Sequence, residues 1–95
     1  MKLPLSFETA LSREDLLRLL PEAVGGTSFT DNGDGFRHSA DGRGWRICLT
    51  PLPERALGLF RWRPLRLDFC FEGFQPAEIE SFMARFELYF WRGGG

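Results

Sequence analysis

The segment after Pro76 constrains the fold more than any other part of the chain. Ile79, Phe82, Met83, Phe86, Tyr89 and Phe90 recur every three or four residues, which marks out a wide apolar face on a helix. Gly73-Phe74-Gln75 breaks whatever precedes it, Pro76 suits a first helical turn, and Glu78 and Glu80 sit where the helix dipole favours acids. Burying one Phe or Ile side chain contributes about 1.5–3 kcal/mol, so such a face calls for an apolar sheet to lie on.

The preceding residues supply that sheet. Leu3, Leu5, Phe7 and Thr9 alternate with Pro4, Ser6, Glu8 and Ala10, the period of a half-buried strand with Pro4 at its start or on an edge. Ser12 ahead of Arg13-Glu14-Asp15 reads as a capping box, and Leu16, Leu17, Leu19 and Leu20 follow it, so the pattern predicts a helix over residues 13–24 that ends at Gly25-Gly26. Turn signals at residues 31–35, 41–44 and 51–53 then separate short strands at 27–30, 36–40 and 45–50. In the last of these, Trp45, Ile47 and Leu49 share one face, and Arg46, Cys48 and Thr50 share the other. Residues 53–58 read as a loop. Residues 59–63 and 65–72 read as strands parted by Pro64; the second sets Leu65, Leu67, Phe69 and Phe71 against Arg66, Asp68, Cys70 and Glu72.

The predicted fold is therefore α+β in two layers: an antiparallel meander sheet of four to six short strands, with a short N-terminal helix and a longer C-terminal helix packed on one face. A chain of 95 residues without repeats or a long linker fits one domain. Residues 1–92 make up that domain, and Gly93-Gly94-Gly95 is a flexible tail.

No apolar run approaches the about 20 residues that span a bilayer, and Met1-Lys2-Leu3-Pro4 reaches Glu8 before an apolar leader forms. The expected location is cytoplasmic, with no membrane contact. Cys48 and Cys70 are then expected as reduced thiols, and together with the lone His38 they do not form a zinc ligand set, so no metal and no cofactor are expected. His38 has no nucleophile elbow around it and reads as a surface or half-buried residue without catalytic function. The run from Asp31 to Gly35 resembles the start of a calcium loop but has Gly42 where the closing glutamate belongs, and turn chemistry explains it.

Two biases remain: eleven arginines against one lysine, and ten Phe with three Trp and one Tyr. Residues 36–66 hold seven arginines against Asp41 and Glu54, whereas 67–91 hold five acids against Arg85. Within the basic half, Phe60-Arg61-Trp62-Arg63-Pro64-Leu65-Arg66 interleaves guanidinium groups with rings, a composition suited to stacking and phosphate pairing. On a plain strand the same residues would send Phe60 and Trp62 into the core and turn Arg61 and Arg63 toward Asp68 or Glu72. A pI near 5.8 speaks against a dedicated nucleic-acid surface. Cys48 and Cys70 fall on the sheet face away from the helices, which suggests that this face is partly covered by a partner, by the first helix or by a loop, or that the strand register differs from the one read.

These features point to a small non-enzymatic module that binds another protein or self-associates as a homodimer through its sheet. The alternative is anion, small-ligand or nucleic-acid binding through Arg46, Arg61, Trp62, Arg63 and Arg66, and an enzyme with an unrecognised site is the third reading.

Overall fold

The computed structural model describes residues 5–94, with side chains through residue 90. Leu3 and Pro4 of the first predicted strand, and Gly95, lie outside the described residues. The chain runs β1 (Ser6–Thr9), α1 (Arg13–Ala23), β2 (Thr30–Asp31), β3 (Gly35–Ala40), β4 (Arg43–Pro51), β5 (Arg55–Leu57), β6 (Phe60–Trp62), β7 (Leu65–Glu72) and α2 (Pro76–Gly94). The backbone of Gly93 and Gly94, read from sequence as a tail, continues α2.

Local chemistry explains most boundaries. Ser12 caps α1 by accepting from the Asp15 amide at 3.2 Å. The helix ends where Gly25 and Gly26 take φ of 73° and 81°, and the Gly26 amide reaches back to the Pro21 carbonyl at 2.8 Å, the bond of a Schellman end. Asp41 and Gly42, at φ of 54° and 74°, form the two-residue turn that sets Ala40 opposite Arg43. The strand expected at 27–30 shrinks to Thr30–Asp31, because the groups before it are engaged elsewhere. The Thr27 hydroxyl donates to the Val24 carbonyl, and the Ser28 carbonyl accepts from His38.

The five main strands are antiparallel in the order β1-β7-β4-β3-β2, so β2, β3, β4 and β7 form the meander and β1 pairs at the far edge of β7. Their inward residues, among them Phe36, Trp45, Ile47, Leu49, Leu67 and Phe69, meet Leu16, Leu20 and Ala23 of α1 and Met83, Phe86 and Phe90 of α2 in one buried cluster. Both helices thus cover the same face of the sheet, and the side chains of the other face point away from them.

The main departure from the sequence reading lies at residues 53–58, where β5 replaces the expected loop and pairs with β6 as a separate two-stranded sheet. It is the tip of one long hairpin. The β4–β7 ladder ends at Pro51 opposite Leu65, the Leu52 amide donates to the Pro64 carbonyl at 3.0 Å, and pairing resumes at Arg55 opposite Trp62. Residues 52–54 on one side then face only 63–64 on the other, the one-residue offset of a bulge. Pro53 and Pro64 have no N–H with which to continue the ladder, and Pro64 is fully buried at the junction.

Candidate functional site

Three surfaces stand out: the β5–β6 arm, the open face of the sheet, and a cleft beside α2. The arm is formed by three-residue strands, and its register places Arg55, Leu57, Phe60 and Trp62 on one side and Ala56 and Arg61 on the other. Leu57 and Phe60 are 76% and 64% exposed, and Leu59 at the turn is fully exposed. The Phe60 and Trp62 rings lie 5.2 Å apart, so the apolar side of the arm is already organised. Phe60 does not enter the core as a plain strand would place it: a one-residue offset and two prolines part the arm's ladder from the β4–β7 ladder, and no arm residue belongs to the buried cluster; Trp62 is half-buried.

The arginines of segment 60–66 are distributed differently from the strand reading as well. Arg61 meets Glu54 at 3.4 Å, and Arg66 meets Asp68 at 3.1 Å two residues along its own strand. Arg63 is exposed and has no ion-pair partner among the described residues. Arg46 lies away from this group, near the other end of β4 and opposite Cys70. Arg46 and Arg66 share the open face, whereas Arg61 belongs to the arm. Arg55, which the sequence reading left out, ties the arm to the sheet by pairing with Glu8 of β1 at 2.8 Å. Its separation from Glu8 by 47 positions left no local signal in the sequence.

On the open face, Gly35, Arg37 and Ser39 of β3 lie beside Cys48, Arg46 and Gly44 of β4, which in turn face Asp68, Cys70 and Glu72 of β7. Cys70 is exposed and Cys48 half-buried, and no helix covers either. Asp68 is held below the ordinary carboxylate range by the Ser6 hydroxyl first and the Arg66 guanidinium second. The Arg46 guanidinium is raised above its ordinary value chiefly by the Cys70 sulfur beside it. Gly44 leaves a depression of about 230 Å³ bordered by Arg37, Ser39, Arg46, Cys70 and Glu72. A side chain there would run into the His38 carbonyl of the neighbouring strand, so the glycine is required by the backbone.

The cleft beside α2 is larger, about 650 Å³, and is lined by Trp45, Phe74 and Phe82 with His38, Arg43, Glu78 and Ser81 around them. Its Arg43 and Glu78 are already engaged with one another. Arg43 pairs with Glu78 and lies 4.9 Å over the Phe74 ring, and Glu78 also accepts from the Gln75 amide at 3.0 Å. His38 sets Nδ1 2.6 Å from the Ser28 carbonyl, which makes that nitrogen the donor, and its ring stacks on Trp45.

The calcium-like run behaves as a turn, with the Asp31 carboxylate accepting from the Gly33 amide at 2.9 Å and pairing with Arg13. Those contacts, the Gly33 amide foremost, hold Asp31 below the ordinary carboxylate range. Among the described residues no group of three or more His, Cys, Asp and Glu side chains is placed to hold a metal ion, and no helix is long and apolar enough to cross a membrane. Comparison with protein-family models, curated proteins and solved structures finds no match to this chain.

Proposed function

We propose that this chain is a non-enzymatic protein-interaction module that docks through its β5–β6 arm, and that a second copy of the chain is a partner. The observation that carries the reading is the exposure of Leu57, Leu59 and Phe60 together at the tip of one projecting hairpin. Exposed apolar residues scattered singly are ordinary, whereas a contiguous group marks an interaction surface. A two-stranded ribbon is marginal on its own, and contact with a partner would stabilise it.

Self-association is favoured by charge. The pairs Arg55–Glu8 and Arg61–Glu54 neutralise the arm except for Arg63, so two arms approach without strong repulsion. Among the described residues β5 and β6 pair only with each other, which leaves their outer edges open to strand addition, and a two-fold axis would use the same patch on both copies. Anion binding by segment 60–66 has less to draw on, since Arg61 and Arg66 already have carboxylate partners.

Sedimentation over a dilution series from high micromolar concentration tests the reading. The wild type is expected to dissociate from dimer to monomer on dilution, and the Leu57→Ser/Leu59→Ser/Phe60→Ser variant to remain a folded monomer throughout. A wild-type species of 10.9 kDa at every concentration would overturn self-association.

A further inference from the structure

Of the two concave surfaces described, the depression over Gly44 is the one whose arginines lack carboxylate partners among the described residues. Arg37 and Arg46 are direct cross-strand partners on the open face, and neither is in an ion pair among the described residues. Like charges set directly opposite one another on a sheet repel, with Cβ atoms only about 4.5–5.5 Å apart. The other arginines nearby are neutralised, Arg43 by Glu78 and Arg66 by Asp68. Beside the pair, the missing side chain of Gly44 opens a floor that Ser39 and Cys70 border with a hydroxyl and a thiol.

We propose that this depression binds a tetrahedral dianion, inorganic phosphate or a phosphate monoester, with Arg37 and Arg46 as its two cations and the Ser39 hydroxyl as a further donor. A phosphate monoester carries about −1.5 to −2 charges near neutral pH, which matches two guanidinium groups, and each of these offers several N–H donors to its oxygens. Binding would remove the repulsion between the two arginines. Glu72 borders the same depression and opposes an anion, so it tunes the affinity downward. The site lies toward the opposite end of β4 from the arm and does not depend on self-association.

Thermal unfolding with inorganic phosphate, against chloride at matched ionic strength, tests the proposal, and titration followed by NMR gives the affinity. Phosphate is expected to raise the midpoint of the wild type beyond the chloride control. Arg37→Ala and Arg46→Ala are expected to weaken phosphate binding by about tenfold or more, with the phosphate-free midpoint unchanged or higher because the repulsion is gone. Glu72→Gln is expected to tighten binding. A phosphoseryl peptide that binds tighter than both phosphate and its unmodified form assigns the site to a modified partner chain, and equal binding of phosphate and phosphopeptide assigns it to small phosphates. A midpoint shift no larger than with chloride, or one that survives both arginine substitutions, would overturn the site, and neither result bears on the arm.

Discussion

Phe86 on α2 and Phe60 on the arm carry the same side chain into opposite surroundings. Phe86 is 0% exposed and lies edge-on to Phe69 at 4.8 Å, with Phe90 stacked at 4.0 Å behind it. Phe60 touches Trp62 and otherwise faces outward. The difference comes from layering. Around Phe86, a helical face spaced by three and four residues meets a sheet face spaced by two, so each apolar surface closes on the other. The arm is a ribbon of two short strands outside the buried cluster, and its register sets the two rings beside each other, Leu57 and Arg55. Aromatic content therefore reports burial only where a second element is in place to receive it.

Phe86→Ala should destabilise the domain by about 3–5 kcal/mol in urea unfolding, since it opens a cavity in a fully packed core. A loss below about 1 kcal/mol would mean that α2 does not rest on the sheet.

A smaller effect is expected at the boundary between the two regions. Pro64 is fully buried where the β4–β7 ladder stops, and its carbonyl accepts from the Leu52 amide. Replacing it with alanine removes two buried methylenes at about 0.8 kcal/mol each, so Pro64→Ala should cost about 1–2 kcal/mol. Hydrogen exchange at the Leu52 amide should quicken while the Ile47 amide in the middle of β4 keeps its protection. Equal acceleration at both positions would show that the arm and the sheet open together as one unit.

The layered region was legible in the sequence because each of its elements carries its own local signal. The Ser12 cap, the Asp41-Gly42 turn, the alternation from Leu65 to Glu72 and the spacing from Ile79 to Phe90 all predict elements that the structure contains. The arm was less legible. Residues 53–58 contain Pro53, two charges and a glycine, which is loop composition, and β5 forms there only because β6 lies opposite and continues the hairpin. The Arg37–Arg46 pair was hidden for a related reason: the two residues are nine positions apart in sequence, and only the position of the turn at Asp41-Gly42 fixes them as partners. Arg46 was readable as an open-face residue from alternation alone, whereas its neighbour depended on register.

At the arm the expected change is small. Phe60→Ala should change the stability of the monomer by no more than about 0.5 kcal/mol, as substitutions at exposed positions do, although it removes as many atoms as Phe86→Ala. The measurement belongs at a concentration below any self-association, because a dimer adds its binding free energy to apparent stability and would credit Phe60 with a contribution from the partner. Under that condition the substitution removes the contact with Trp62 and the place opposite Leu57. The arm stays tied to the sheet through Arg55 and Glu8. A cost above about 1 kcal/mol in the monomer would mean that Phe60 packs on the sheet of its own chain, and the exposed tip would then be part of the core it was contrasted with.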